Sequence, residues 1–249
     1  MTIDFDQIID RRNTHSSKWD SMQASYGVSP ENGIPMWVAD MDFRPPKEVD
    51  DALKAEMAHG IYGYYDNPRS YAEALAGWMQ RRHGWTVDPG WLLQVHGLVN
   101  GLALCISAFT KPGEGVIVFS PVYHWFGNIV NANDRRLVES PLVQKDGLYH
   151  MDLQALEAQL KGDEKLVFLC SPHNPGGRVW TAEELSALAD FCIKHDLILI
   201  SDEVHNDLVM PGHKHIVANC KNKWITGKIY QILNVHNAYW MALIPVRTI

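Results

Sequence analysis

A carboxylate at the end of an apolar run is the most suggestive chemical feature of this sequence. The segment LILISDEVHND (197–207) places Asp202 and Glu203 directly after branched apolar residues that predict a buried strand. Burial should raise the pKa of the Asp202 carboxyl unless a protonated pyridinium nitrogen, an arginine or a metal ion compensates. DEVH lacks the spacing of metal ligands, and His213 and His215 in GHKH are expected to be solvated turn residues, so no metal site is predicted.

A glycine at a second strand end offers a seat for an anion. Gly97, Leu98 and Val99 follow the apolar segment WLLQVH (91–96) and open a predicted helix. The free backbone N–H groups of such a turn can bind a phosphate group. Most turns of this kind bind nothing, so an ordinary strand-to-helix connection is the alternative.

Two more strand ends carry side chains that could contact a planar ligand. Tyr123 follows GVIVFSP (115–121), where its ring could stack on a ligand or only cover the edge of the sheet. Asn174 lies in HNPGGRVW (173–180), where its amide could donate to a ligand oxygen or cap its own turn.

The elements that must position these residues alternate between strands and helices. Strands without polar alternation, separated by amphipathic helices, predict an α/β fold with a mostly parallel sheet and helices on both faces. Ligands of such sheets bind beyond the carboxyl ends of the strands. Strands are predicted at 91–96, 115–121, 135–143, 165–172 and 197–202, and helices at 47–60, 70–84, 97–110, 122–133, 151–161 and 181–196.

Helix boundaries are marked by residues with known capping roles. Ser70 and Asp152 are predicted N-caps, Thr181 and Glu184 have the spacing of a capping box, and Gly60 should end its helix in a left-handed conformation.

Composition excludes several classes of protein. The chain has 249 residues, 46% of them hydrophobic, and a formal net charge of −7, which argues against a nucleic-acid-binding surface. No apolar run reaches the roughly 18 residues that a membrane span requires. The four cysteines form no CxxC pair and are expected to be reduced thiols of a cytoplasmic protein.

Several segments of the chain resemble one enzyme family. MWVADMDF, IYGYYD, FSPVYHWF, SPHNPGGRVW, SDEVHNDLV and PGHKHI are similar to the MalY/PatB-type cystathionine β-lyases, or cysteine C–S lyases. These belong to the fold-type I pyridoxal-phosphate enzymes, the superfamily of aspartate aminotransferase. HNPxG with a downstream DE is common to many aminotransferases, whereas WVADMDF and DEVHxDLVxPGHKHI narrow the resemblance to the lyases. The similarity covers residues 1–216.

The resemblance implies a cofactor, pyridoxal 5'-phosphate, and a role for each residue marked above. The backbone of Gly97, Leu98 and Val99 would hold the phosphate, Tyr123 would stack on the ring, Asn174 would donate to the ring oxygen O3', and Asp202 would pair with the ring nitrogen. Tyr64 would reach the phosphate of a second subunit, which implies a homodimer, and Trp37, Asp40 and Asp42 would line the substrate side. The position of His205 is usually a tyrosine in aminotransferases, so that tyrosine's role is not carried over.

The reaction implied is an α,β-elimination. Cystathionine or a related small-molecule cysteine thioether would yield a thiol, pyruvate and ammonia. An aminotransferase of the same fold and a non-catalytic regulatory or binding protein are the alternatives.

The reaction needs a lysine that bonds covalently to the cofactor, and the sequence does not supply one in the expected setting. Lys228, in ITGKIYQ, follows Thr226 but lacks the family's flanking pattern, and it resembles an ordinary surface lysine. All 29 acidic residues lie at or before Asp207, and the family pattern ends at Ile216.

These observations predict three regions. Residues 1–46 are expected to be an N-terminal segment of a small domain, 47–216 an incomplete cofactor-binding domain, and 217–249 an off-family tail such as a reading-frame shift would produce. On this interpretation the chain is truncated, lacks the C-terminal domain of the family, and is impaired or inactive as an enzyme.

Overall fold

The computed structural model of the chain describes residues 4–64 and 69–218, together with the backbone of 229–233 and 242–245. The chain divides into two compact units, Met1–Asp66 and Asn67–Ile249. The predicted regions 1–46, 47–216 and 217–249 divide the chain differently and stay predictions. No helix in the described ranges is both long and apolar enough to cross a membrane.

The described part of the first unit, residues 4–64, contains three helices. These are α1 (Ser17–Asp20), α2 (Met22–Tyr26) and α3 (Lys47–His59). Helix α3 begins after Pro46 and ends at Gly60, whose φ of 73° is the left-handed conformation expected there. Glu48 and Asp50 lie in its first turn and His59 in its last, which suits the helix dipole.

The second unit is built on a six-stranded sheet. Its strands are β1 (Gly115–Ser120), β2 (Arg136–Pro141), β5 (Glu164–Cys170), β6 (Ile198–Asp202), β7 (Ile229–Leu233) and β8 (Ala242–Pro245). They lie in the order β2–β1–β5–β6–β7–β8, and all neighbours are parallel except β7 and β8, which are antiparallel. A separate hairpin, β3 (Val143–Lys145) and β4 (Leu148–His150), was not predicted from the sequence.

Helices cover both faces of this sheet, as the sequence predicts. Val116 and Val118 of β1 pack in one apolar cluster with residues of α5 (Leu98–Phe109) and α6 (Trp125–Ala132). Ile117 and Phe119 of the same strand pack in a second cluster with residues of α7 (Leu153–Gln159) and α8 (Ala182–Lys194). Successive side chains of a strand point to opposite faces, so an uninterrupted apolar run is needed to fill both cores. The helices of this unit are α4 (Arg69–His83), α5 (Leu98–Phe109), α6 (Trp125–Ala132), α7 (Leu153–Gln159) and α8 (Ala182–Lys194).

Two helix starts match their predicted caps. The Asp152 side chain accepts a hydrogen bond from the N–H of Ala155 at 2.9 Å. The Thr181 hydroxyl accepts from the N–H of Glu184 at 3.2 Å, and the Glu184 carboxylate accepts from the N–H of Thr181 at 2.9 Å. This is the reciprocal capping box expected from the spacing.

Two local predictions are wrong. WLLQVH does not form a strand: a 3₁₀ turn at Pro89–Trp91, capped by the Asp88 side chain, occupies its start, and only His96 forms a bridge. A strand needs a ladder of hydrogen bonds with a neighbour, which this segment does not have in the described part of the chain. Ser70 is not an N-cap because α4 already includes Arg69.

The backbone of the C-terminal region continues the sheet. Strand β7 pairs with β6 in parallel, with Ile229 opposite Leu199 and Ile232 opposite Asp202. These strands fall within 217–249, the range that the sequence sets apart. Lys228 lies outside the described residues.

Replacing Thr181 should destabilise the second unit measurably. Thr181→Ala removes the hydroxyl that caps α8, and we expect a loss of about 1 kcal/mol in the free energy of unfolding, measured by urea denaturation. Asp190→Ala, at an exposed position of the same helix, is the control and should change stability by less than about 0.5 kcal/mol. Equal losses in the two variants would contradict the capping assignment.

Candidate functional site

Asp202 is a buried carboxyl with few donors around it. It ends β6, is 5% exposed, and its side chain accepts a hydrogen bond from the N–H of Val204 at 3.1 Å. Within the residues that the structure describes, this is the side chain's only hydrogen bond. Burial raises the pKa of Asp202 to about 7 despite that bond, and the charge of Glu203 acts in the same direction. The site therefore has a carboxyl that a cationic partner would stabilise in its ionised form.

Strand β5 places a second group of residues beside Asp202. Cys170 is the register partner of Asp202, and the N–H of Ser171 donates to the Asp202 carbonyl at 2.9 Å. Burial and the charge of Asp202 raise the pKa of Cys170 to about 12, so its thiol stays protonated. The Cys170 sulfur accepts from the N–H of Asn174 at 3.3 Å. The side-chain amide of Asn174, partly exposed, makes no hydrogen bond within the described chain and is open to a ligand.

Tyr123 lies on the same edge of the sheet. It is partly buried and packs, with Val122, against the apolar cluster that contains Cys170 and Ile200. Burial raises the pKa of Tyr123, and the charge of Asp202 contributes to that rise. The phenol is therefore neutral near pH 7.

Helix α5 begins beside the apolar cluster against which Tyr123 packs. Gly97 is the N-cap residue, with φ 79° and ψ 148°, a conformation that residues with a Cβ rarely adopt. A Cβ built on Gly97 would meet nothing within 4 Å, so the space beside it is open. Leu98 and Val99 pack against the same cluster as Tyr123, and the N–H groups of this first helical turn have no partner within the helix. Asp202 ends β6, and Tyr123 and Asn174 follow the parallel strands β1 and β5, so these three residues lie at the carboxyl edge of one sheet. The cofactor-binding roles of all six sequence-predicted residues stay predictions.

The substrate-side carboxylates lie in the first unit, where both form ion pairs. The Asp42 carboxylate accepts from Arg11 at 2.7 Å, Lys18 at 2.8 Å and Trp19 at 3.1 Å. Burial acts to raise the pKa of Asp42, but these three hydrogen bonds outweigh it and lower the pKa to about 2. Asp40 pairs with Arg11 through one oxygen, and its other oxygen is buried without a partner in the described chain.

Trp37 and Tyr64 also belong to the first unit. The Trp37 indole N–H donates to the Lys18 carbonyl at 3.1 Å, and its ring packs edge-on against Tyr26. The Tyr64 side chain is fully exposed. The substrate-side role of Trp37, Asp40 and Asp42 and the cross-subunit role of Tyr64 stay predictions.

One histidine prediction is wrong. His213 is exposed, but His215 is buried, and its Nε2 lies 2.8 Å from the Glu203 carboxylate. Glu203, which is also buried, accepts from the hydroxyl of Ser201 and the N–H of Ala218, both at 2.9 Å. Val217 and Ala218, which follow His215, are also buried, so the segment that carries His215 lies in the interior of the second unit.

His173 is another functional candidate that the sequence did not single out. It is 3% exposed and lies between the end of β5 and Asn174. Nothing in its immediate sequence distinguishes it from a turn residue. No cluster of three or more His, Cys, Asp or Glu side chains that could hold a metal ion occurs among the described residues.

Together the fold and this edge define an α/β protein whose candidate ligand site lies at the carboxyl ends of parallel strands. The sequence model of the aminotransferase class I and II family matches residues 32–243. The chain therefore belongs to the aminotransferase class I and II family.

The chain is also similar to individual proteins, one of which is named a lyase. The chain is 43% identical over 214 residues to cystathionine beta-lyase PatB of Bacillus subtilis and 32% identical over 217 residues to protein MalY of Escherichia coli, and each alignment covers 86% of this chain. The structure of cystalysin from Treponema denticola, which contains a pyridoxal 5'-phosphate cofactor, superposes with a TM-score of 0.89 at 34% identity over 98% of this chain. The chain spans 55% of each curated relative and 64% of the cystalysin chain.

The raised pKa of Asp202 predicts how stability depends on pH. The Asp202 carboxyl has a pKa of about 7 in the folded chain, against an ordinary value of 3.8 in the unfolded chain. Between these two pH values the folded chain therefore binds more protons than the unfolded chain. As the pH rises from 4 to 7, ionisation of Asp202 destabilises the ligand-free fold. Asp202→Asn removes this penalty. We expect it to stabilise the chain at pH 8 by at most roughly 4 kcal/mol and to have little effect near pH 4.

Chemical denaturation at the two pH values measures this difference. Asp190→Asn, an exposed carboxyl on α8, is the matched control and should show no such pH dependence. A difference between Asp202→Asn and the unchanged chain that is the same at pH 4 and pH 8 would count against the buried ionisable carboxyl.

Proposed function

We propose that this chain binds pyridoxal 5'-phosphate at the carboxyl edge of its sheet. The observation that carries the proposal is Asp202, a buried carboxyl whose pKa is raised and which has no cationic partner among the described residues. A protonated ring nitrogen supplies the missing charge, and the pyridine ring suits the aromatic face of Tyr123. The open space at Gly97 suits a phosphate group at a helix N-terminus. The residues therefore fit the cofactor.

Each of these residues has a task that follows from its chemistry. Asp202 keeps a proton on the ring nitrogen, Tyr123 covers one face of the ring against water, and the amide of Asn174 donates to the ring oxygen. The N–H groups of Leu98 and Val99 bind the phosphate. When bound, the cofactor supplies an electron sink for the electron pair left by removal of a substrate Cα proton.

The activity we propose is a carbon–sulfur β-elimination. The substrate would be cystathionine or a related cysteine thioether, and the products a thiol, pyruvate and ammonia. Two relatives of this chain are named cystathionine beta-lyase, PatB of Bacillus subtilis and a protein of Corynebacterium glutamicum, and these names support this class of reaction. The likeness of the chain to cystalysin, whose structure contains pyridoxal 5'-phosphate, supports the cofactor. We further propose that the 249-residue chain binds the cofactor weakly and without a covalent bond to lysine, because the sequence around Lys228 lacks the family's pattern.

Two functions are alternatives to the proposed β-elimination. The family model is that of aminotransferases, so amino-group transfer to a keto acid is the alternative reaction. A non-catalytic regulatory or binding protein is the alternative from another class. It predicts that a protein partner is retained when Asp202 is replaced by alanine, and loss of that partner would exclude it.

A homodimer is part of the proposal. Helix α3 has no buried residue, and Val49, Leu53 and Met57 form an exposed apolar stripe at helical spacing near the exposed Tyr64 in sequence. We propose that a second copy covers this stripe, and that Tyr64 reaches the cofactor of the second subunit, as the family resemblance implies. Sedimentation that shows only monomer at micromolar concentration would count against it. We also propose a cytoplasmic location, which agrees with the free thiols of Cys105, Cys170 and Cys192.

Replacing Tyr123 should separate ring stacking from other contributions to cofactor affinity. Tyr123→Leu removes the aromatic face, and we expect the dissociation constant of pyridoxal 5'-phosphate, followed by protein fluorescence, to rise roughly two- to tenfold. Tyr123→Phe retains the ring and is the matched control, with affinity close to that of the unchanged chain. Equal affinities for the leucine and phenylalanine variants would remove Tyr123 from the site.

The proposed activity is tested by the products formed from cystathionine. We expect pyruvate release to be very slow in the isolated chain, and borohydride to leave no cofactor attached to the protein. A visible absorbance band that borohydride fixes to the chain and that Lys228→Ala abolishes would contradict the non-covalent proposal. Transfer of the amino group to an added keto acid, without pyruvate release, would favour the aminotransferase alternative.

A further inference from the structure

His173 connects two loops at the carboxyl edge of the sheet. Its backbone N–H donates to the Arg178 carbonyl and its own carbonyl accepts from the N–H of Gly177, both at 2.8 Å, which closes the turn after β5. Its side chain reaches across to the loop after β1, where Nε2 lies 2.9 Å from the Pro121 carbonyl oxygen. A carbonyl oxygen only accepts, so Nε2 carries the proton. Burial lowers the pKa of His173, which keeps the imidazole neutral.

The ring is held in this orientation by its surroundings. It packs edge-on against Trp180, with ring centroids 5.4 Å apart. A Cβ added to Gly176 would lie 2.7 Å from the His173 Cδ2 atom, so the backbone of the turn passes close to the imidazole. The Trp180 indole N–H in turn donates to the Cys170 carbonyl at 2.8 Å. The turn and Trp180 therefore enclose the imidazole beside Pro121.

The need to fill the buried volume at position 173 does not explain why the side chain there is a histidine. Its second nitrogen, Nδ1, is buried and has no hydrogen-bond partner in the described part of the chain. A hydrocarbon side chain of similar volume would fill the same space without burying an unsatisfied polar atom. What the imidazole supplies, and a hydrocarbon does not, is the hydrogen bond to Pro121.

We propose that His173 is a positioning residue that fixes the spacing between the loops carrying Tyr123 and Asn174. Pro121 lies two residues before Tyr123, and His173 directly precedes Asn174. In a planar ligand, the ring face that stacks on Tyr123 and the ring-edge oxygen that accepts from Asn174 are a fixed distance apart. Both contacts can therefore form together only if the spacing between the two loops is kept. The inference rests on the proposed cofactor site, and it adds a residue that contacts neither face nor edge of the ligand.

Three substitutions separate the hydrogen bond from the volume of the side chain. His173→Gln keeps an amide N–H close to the position of Nε2, His173→Asn keeps the amide but is too short to reach Pro121, and His173→Leu fills space without a donor. The glutamine variant should behave as the unchanged chain, and the other two should lose the connection between the loops.

The connection is tested first without any ligand. Amide hydrogen exchange is measured in peptides spanning 119–126 and 171–178. We expect faster exchange in both peptides for His173→Leu and His173→Asn, and unchanged exchange for His173→Gln. Because 119–126 is distant in sequence from position 173, faster exchange confined to 171–178 would overturn the inference.

The consequence for ligand pose is tested with two probes. Pyridoxal 5'-phosphate should bind His173→Leu and His173→Asn roughly five- to tenfold more weakly, whereas inorganic phosphate, which meets only the start of α5, should bind all variants alike. Equal weakening of both probes, in step with a lower thermal midpoint, would indicate a general folding role and overturn the inference. If the unchanged chain binds no pyridoxal 5'-phosphate, the proposed function fails, and the exchange experiment still decides whether His173 joins the two loops.

Discussion

The burial of one carboxyl at the end of β6 is the constraint on which the site depends. Asp202 ends a strand whose neighbours on both sides are parallel, so it cannot turn to solvent without disturbing the middle of the sheet. Desolvation penalises its charge, and within the described residues one backbone N–H is its only donor. The adjacent Glu203 is held by three donors and adds negative charge to the same place. The fold thus prepares a position whose electrostatics favour an incoming cation.

The remaining residues of the site give that position its shape. Parallel strands bring their carboxyl ends to one edge, so segments that are distant in sequence each contribute a side chain there. Tyr123 supplies an aromatic face, Asn174 an unused amide, and Gly97 an open backbone turn. None of the three is distinctive by itself. Tyr123 and Asn174 share an edge with a carboxyl that has no cationic partner among the described residues, and with Gly97 they support the proposal of a planar, phosphorylated, positively charged ligand.

Much of this edge could be predicted from the sequence because strand ends in a parallel sheet are marked by local signals. The apolar runs before Tyr123, Asn174 and Asp202 were long enough to predict buried strands, and the capping residues of α7 and α8 were recognised by spacing alone. WLLQVH was mistaken for a strand because its apolar pattern does not reveal whether a neighbouring ladder is present. For a related reason His215 was wrongly predicted to be solvated, and His173 was not singled out. Their burial and their partners come from residues far away in the sequence or from backbone carbonyls, which no local pattern shows.

The charge of Asp202 with and without ligand is the most direct test of this account. Carbon-13 NMR of a chain labelled at aspartate carboxyls, with the signal assigned by its loss in Asp202→Asn, follows the protonation of this one group. The account predicts a pKa near 7 in the ligand-free chain and an ionised carboxyl throughout the neutral range once pyridoxal 5'-phosphate is added, because a protonated ring nitrogen favours the charged form. A carboxyl that titrates near its ordinary value in the free chain, or that does not respond to the cofactor, would contradict it.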